Sequence, residues 1–339
     1  MASACNSALL KRIGFKWRRD AANPVLPPQP DGPDGSYRCM NPFVLRLGDE
    51  YRLYYAAGDA GGQHRICLAT SSVTDLTAFR RRPPILDNGA PGAFDARWCV
   101  LPYVHRFGDK WHLYYTGHEG SKLGLQSFPG IGLATSDDGI NFTKVSAEQI
   151  ITGDQTAEFP NNRGIAGGGT ILEFPAPGGG IRYRMYYTLA VGTSSNDVRV
   201  DQEKHCAVCH SDDGIHWYDH RIVMSPRGDV TNEDIAVAAP CVWRDGNIFR
   251  MLYCGIGTRW GYYSISEAVS ADGYRWERGE GDENLSLTPE RDSPWESQMV
   301  EYPTLIPEGD DLRLFYCGNG YGATGIGTAL AKVEHSTCG

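Results

Sequence analysis

One pattern recurs five times along the chain and limits what it can fold into. An apolar strand, a short turn with Gly and Asp, and a second strand ending in aromatics and a small residue form each copy. The copies read NPFVLRLGDEYRLYYAAG, LPYVHRFGDKWHLYYTG, GGTILEFPAPGGGIRYRMYYTLA, APCVWRDGNIFRMLYCG and YPTLIPEGDDLRLFYCG. In register they align Pro42, Pro102, Gly169, Pro240 and Pro303, at spacings of 60, 67, 71 and 63 residues. A third strand follows each hairpin (HRICLATSS, GIGLATSDDG, HCAVCHSDDG, ISEAVSADG, GIGTALAK). The middle copies add a fourth, with an aromatic three residues after a glycine: Gly139 and Phe142, Gly214 and Trp217, Gly273 and Trp276. The last copy lacks that strand, but Gly14 and Trp17 carry the same element ahead of the first copy.

A four-stranded sheet alone has two edges and an unburied face. Radial stacking buries the faces and ring closure protects the ends. The pattern therefore predicts an all-β chain, a single five-bladed β-propeller domain over residues 1–339. Its blades begin near residues 37, 97, 164, 235 and 298, and residues 10–20 close the ring as the outer strand of the last blade. The 41 glycines and 20 prolines suit such short strands and tight turns.

The formal net charge of −9 argues against nucleic acid or an anionic membrane as partner and leaves a small molecule. No apolar run reaches the roughly 18 residues that span a bilayer. The leading segment MASACNSALLKRIGFKWRRD lacks a signal-peptide pattern, so a cytoplasmic setting is expected. The ten cysteines are widely spread, which predicts buried reduced thiols, not a disulfide framework. CAVCH, Cys206 to His210, matches a haem-attachment pattern, but on a strand its two cysteines point to opposite faces. No metal and no cofactor are expected. Cys39 and Cys99 share one repeat position and Cys254 and Cys317 another, which predicts small buried side chains.

In such a ring, residues just before each innermost strand gather at one mouth of the central channel, with the turns between second and third strands. The first copy offers Asp34, Arg38 and Asn41; the second Asp95, Arg97 and Trp98; the third Glu158, Asn161, Asn162 and Arg163. The fourth offers Glu233 and Asp234; the fifth Trp295, Glu296, Gln298 and Glu301. The turns add Asp59, His118, Glu119, Arg259, Trp260, Asn319 and Tyr321. Carboxylates that grip hydroxyls and move protons, beside aromatics that stack on C–H faces, are the chemistry of a sugar site. Asp95, Glu158, Glu233, Asp234, Glu301 and His118 are the catalytic candidates. Arg38, Asn41, Arg97, Trp98, Arg163, Arg259, Trp260, Trp295, Gln298, Asn319 and Tyr321 are the binding candidates.

The segments IAVAAPCVWRDGNIFRMLYCG, WESQMVEYPTLI and YCGNGYGATGIGTALAK resemble the five-bladed propeller glycosidase superfamily, which includes glycoside hydrolase families 43, 32 and 130. The resemblance implies an aspartate base, an aspartate that tunes its partner's pKa, and a glutamate acid, from successive blades. Carried over, Asp95 supplies an aspartate and Glu158 or Glu233 the acid. Asn41 stands where such enzymes often place the base, and Gln298 where the nearest group has a glutamate. The expectation is a glycoside hydrolase-like enzyme acting on a small, acidic or phosphorylated, sugar-like substrate. The alternatives are a phosphorylase, a lyase or cyclase, and a non-catalytic sugar-binding propeller.

Overall fold

The computed structural model describes residues 13–120, 130–156, 166–190 and 203–332. Strand β1 (Arg18–Arg19) comes first. The first meander is β2 (Arg38–Leu47), β3 (Glu50–Gly58), β4 (His64–Ser72) and β5 (Arg80–Arg81). The second is β6 (Trp98–Phe107), β7 (Lys110–His118), β8 (Gly130–Ser136), β9 (Thr143–Lys144) and β10 (Ile151–Thr152). The third is β11 (Ala166–Pro175), β12 (Ile181–Ala190), β13 (Lys204–Ser211) and β14 (Tyr218–Met224). The fourth is β15 (Ala236–Asp245), β16 (Ile248–Ile256), β17 (Tyr263–Ser270) and β18 (Leu285–Leu287). The chain finishes with β19 (Glu301–Glu308), β20 (Asp311–Cys317) and β21 (Ile326–Lys332). Among the described residues no helix is long and apolar enough to cross a membrane.

Neighbouring strands run antiparallel within each meander. Four of the first hairpins close on two-residue turns whose first residue is glycine at φ 58–64° (Gly48, Gly108, Gly246 and Gly309). Only glycine enters that region freely, and a turn of this hand matches the twist of the strands it joins. The strands β2, β6, β11, β15 and β19 lie side by side in that order, and β19 packs against β2. Strand β1 pairs with β21, Arg18 opposite Leu330 and Arg19 opposite Ala329, so the leading segment completes the sheet β1-β21-β20-β19. Trp17 donates its indole N–H to Ser286 Oγ (2.7 Å) in the fourth meander.

Between meanders, the first tyrosine of each YY pair reaches forward. Tyr54, Tyr114 and Tyr186 donate hydroxyl protons to the carbonyls of Gly139, Gly214 and Gly273 in the next unit (2.7, 2.6 and 2.9 Å). These are the glycines of the S-x-D-G turns, whose aspartates bind their own backbone amides. The aspartates therefore build turns.

A bulge interrupts every first strand just before the shared Pro or Gly position. Asn41, Leu101, Ala239 and Tyr302 sit there at φ 51–55°. Each freed amide is taken up by the preceding unit. Asn41 N–H donates to Cys317 Sγ (3.2 Å), Gly168 N–H to Thr116 Oγ1 (3.2 Å), Ala239 N–H to Thr188 Oγ1 (2.8 Å) and Tyr302 N–H to Cys254 Sγ (3.1 Å). The first unit has Ala56 at that register, and Asn41 Oδ1 accepts the Leu101 N–H instead (3.3 Å). The two cysteines are thus acceptors standing where the second and third copies use threonine. Cys254→Ala is expected to cost about 1–3 kcal/mol by stranding a buried amide, and Cys254→Thr less; equilibrium unfolding of the two variants checks this.

Candidate functional site

Tyrosine stands at one register of every second strand: Tyr55, Tyr115, Tyr187, Tyr253 and Tyr316. In four copies its hydroxyl donates to a buried carboxylate that precedes the first strand. Tyr55 meets Asp34 (2.6 Å), Tyr115 meets Asp95 (2.8 Å), Tyr253 meets Glu233, and Tyr316 meets Glu296 (2.9 Å). A cation faces each acid. Arg81 pairs with Asp34 (2.8 Å), Lys144 with Asp95 (2.6 Å), Arg278 with Glu233 (2.9 Å) and Arg19 with Glu296 (2.8 Å). Arg81, Lys144 and Arg19 lie on the outer strands β5, β9 and β1. Glu233 holds a second cation, Arg227, and accepts from Asn284 Nδ2 (2.9 Å). In the third copy Tyr187 meets the His220 ring on β14 (3.1 Å).

Asp95 and Glu233, expected as the acid/base pair, are therefore tied inside separate sheets and are 2% and 0% exposed. Tyr115 and Lys144 hold Asp95, and Tyr253, Asn284, Arg227 and Arg278 hold Glu233, so both carboxylates are committed to bonds within their own units. Asp234 is likewise engaged, accepting from Thr258 N–H and Oγ1 (2.8 and 2.9 Å) to fasten the β16–β17 turn. Glu158 and Arg163 lie outside the described residues.

Several binding candidates also serve the frame. Trp295 is buried against Tyr316 (5.3 Å between rings), with its backbone carbonyl accepting from Asn319 N–H (2.8 Å). Asn319 Oδ1 accepts from the amides of Gln298 (2.7 Å) and Met299 (3.3 Å), leaving the Gln298 side chain exposed. Arg259 pairs with Asp282 and lies over the Trp260 ring (5.0 Å). Arg97 is exposed and reaches the Gly61 carbonyl (3.3 Å).

His118 is buried where β7 ends. Its ring lies 4.3 Å from Trp98, whose other neighbour is His64 at 4.6 Å. His118 Nδ1 accepts the Gly120 N–H (2.9 Å). Burial first, then Arg97, lowers the His118 pKa to about 4, and burial with Arg38 does the same for His64. Both rings are neutral at pH 7. As pH falls below 6.5 the unfolded chain protonates these rings before the folded one does, so stability present near neutrality is lost toward about pH 4. Melting temperatures measured from pH 7 down to pH 4 are expected to fall, and less steeply in His118→Asn.

Glu301 breaks the repeat. Its counterparts at the same register are Met40, Val100, Gly167 and Ala238, all apolar or small. It opens β19, opposite Cys317, and is 0% exposed. Neither carboxyl oxygen has a hydrogen-bond partner among the described residues. Burial drives its pKa well above the ordinary carboxylate value, opposed by Lys204 and Arg38. Lys204, at the start of β13, is buried with Nζ on the Tyr263 hydroxyl (3.0 Å), and burial lowers its pKa to about 8. Tyr263 lies 6.0 Å from Tyr302 and 6.2 Å from Tyr321, edge-on to the latter. Arg38 is exposed and donates to the Gly320 carbonyl beside Tyr321. Asn41 Nδ2, one residue before Pro42 on β2, is buried without a partner among the described residues. Arg38, Asn41, Glu301 and Tyr321 are thus the expected residues that the fold brings to one junction, between the last unit and its neighbours. Lys204 and Tyr263 were not anticipated from sequence, because a lysine on a third strand and a tyrosine after a turn carry no pattern of their own.

A cavity of ≈ 250 Å³ begins at the bulges and follows the later parts of the first strands past Phe43, Tyr103, Trp243 and Leu305. Glu301 does not line it. Its wall is apolar, so it offers no acid/base chemistry. Among the described residues no group of three or more His, Cys, Asp or Glu is arranged to hold a metal ion.

No family model matches the chain. Two Mycobacterium tuberculosis proteins, the uncharacterized MT1551 and Rv1502, are each 30% identical over 294 residues, covering 84% of this chain and 89% of theirs. A solved glycoside hydrolase superposes with a TM-score of 0.72 at 14% identity, covering 100% of this chain and 98% of its own. A member of the GH130 family, described as mannoside phosphorylases that include glycoside hydrolases targeting β-1,2 mannosidic linkages, gives 0.69 at 18% identity and 95% of both chains. A thermostable family-43 glycoside hydrolase gives 0.63 at 17% identity, covering 88% of this chain and 90% of its own. The chain belongs to one family with the two mycobacterial proteins, and its fold is that of the β-propeller glycosidases.

Proposed function

We propose that this chain is a carbohydrate-active enzyme, a single five-bladed ring closed by β1, that cleaves a glycosidic or similar acetal bond with Glu301 as proton donor. The observation that carries this reading is one buried carboxyl, unpaired among the described residues, at a register where every other copy is apolar or small. The shared fold with glycosidases supports carbohydrate chemistry. A donor must hold its proton at neutral pH, and the dry, tyrosine-rich surroundings of Glu301 favour that form. In the reaction the Glu301 proton goes to the departing glycosidic oxygen, which takes the bonding pair. A nucleophile adds to the anomeric carbon. Tyr321, half-buried at this junction, gives a ring face for the sugar.

A second reading is phosphorolysis. Hydrolysis by this class of mechanism uses a second carboxylate, and Asp34, Asp95, Glu233 and Glu296 are all held in ion pairs. Phosphate brings its own nucleophilic oxygen and negative charge, and Lys204 and Arg38 beside Glu301 favour an anion. Turnover of a panel of oligosaccharides and aryl glycosides, with and without inorganic phosphate, separates the two. Cleavage without phosphate supports hydrolysis. Strict phosphate dependence with release of a sugar 1-phosphate supports phosphorolysis. No turnover under either condition would remove both.

A further inference from the structure

We propose that Lys204 is a positioning residue for Glu301: its ammonium group, fixed on the Tyr263 hydroxyl, governs whether the Glu301 carboxyl carries its proton. This rests on the reading of Glu301 as the proton donor. The two residues come from different units, β13 and β19, and both are buried; Tyr263 stands between them, its hydroxyl taking Lys204 Nζ (3.0 Å) and its carbonyl accepting the N–H of Val300, the residue before Glu301 (3.2 Å). Lys204 Nζ is anchored by its 3.0 Å bond to Tyr263 and lies 5.5 Å from the centre of that ring. That holds a positive charge at a fixed place in a dry interior, where charges act on one another far more strongly than in water. Among the described residues Glu301 has no hydrogen-bond partner, so the charge fixed on Tyr263 acts on it through the field and not by contact.

The groups around Glu301 can be named from each packed element. Arg38 comes from β2, Lys204 from β13, Cys254 from β16, Tyr263 from β17, Tyr302 from β19 and Cys317 from β20, with Tyr321 packed on Tyr263 behind them. Among the described residues, Lys204 and Arg38 are the groups that favour the carboxylate. Arg38 is exposed, so solvent screens it, whereas Lys204 is buried. Lys204 is therefore the group that keeps burial from locking the proton permanently onto Glu301, so that the carboxyl both releases and recovers it in each cycle.

The sign follows directly. Removing the Lys204 charge makes the Glu301 carboxylate harder to form. Activity that needs the protonated acid falls on the alkaline side, so Lys204→Met is expected to move that limb of the kcat/KM profile upward by about one pH unit. Lys204→Arg, which keeps the charge, is expected to bring it back. A second readout needs no substrate. Above the ordinary carboxylate value a Glu301 that holds its proton makes stability fall as pH rises, and Lys204→Met is expected to carry that fall to higher pH only when Glu301 is present. Thermal melts of the wild type, Lys204→Met, Glu301→Gln and the double variant form the cycle. If Lys204→Met changes the slope equally in both Glu301 backgrounds, the proposal is overturned. It is also overturned if the enzyme turns over a glycoside through Glu301 but Lys204→Met leaves its pH profile unmoved. Coupling in the melts with no turnover on any glycoside would support the Lys204–Glu301 link and overturn only the carbohydrate reading. Should Lys204→Met fail to fold, Lys204→Gln and Lys204→Arg carry the same comparison.

Discussion

Glu301→Gln is expected to remove turnover by about 10²–10⁴-fold while leaving the protein folded. Glutamine has the shape of the carboxylic acid but no proton to give. The same change should stabilise the protein, and increasingly so at higher pH. The folded state holds the Glu301 proton well above the ordinary value of 4.5, whereas the unfolded chain releases it near that value. Between those two points the folded state binds more protons, so wild-type stability falls as pH rises. Glu301→Gln removes that slope, and the difference in melting temperature between variant and wild type should widen as pH rises above the ordinary carboxylate value. A fully active Glu301→Gln, or one that merely unfolds, would end the assignment.

Glu233→Gln is expected to do the opposite. The amide keeps the shape and a hydrogen bond to Tyr253, but Arg227 and Arg278 lose the charge that balances them. Breaking one side of a buried ion pair costs about 3–5 kcal/mol. The low end is expected here, because both arginines retain some contact with water. Chemical denaturation should show that loss, while the folded fraction keeps its specific activity. Asp95→Asn, which strands Lys144, should behave the same way, and a variant of either kind that stays fully stable but inactive would restore these acids to the chemistry.

The repeat was legible because strand periodicity, turn glycines and the shared Pro register are local signals. The Trp17 element at the head of the chain was legible too, since it copied a motif that the last unit lacked, and β1 pairs with β21. The sequence reading placed the frame acids at the channel mouth, and the structure shows each of them paired inside its own sheet. An Asp or Glu seven or eight residues before the shared Pro position occurs in four copies, and each copy also has its tyrosine and its cation. What recurs in four units serves a shared structural need, and here that is a clamp between the first turn, the second strand and the outer segment. The discriminating signal was present in the alignment, as the one carboxyl among apolar and small counterparts, Glu301. Lys204 was out of reach because its approach to Tyr263 and the start of β19 depends on how separate units pack together, which no local pattern encodes. The roles of Cys254 and Cys317 were hidden in the same way, since the amides they accept belong to the following unit.

The most direct test asks where the proton sits. Infrared difference spectra of the wild type at neutral pH should contain a protonated-carboxyl band that Glu301→Gln removes and that Glu233→Gln and Asp95→Asn leave in place. A spectrum in which Glu301→Gln changes no such band, or in which Glu233→Gln removes it, would contradict the division between a reactive Glu301 and a bracing set of repeated acids.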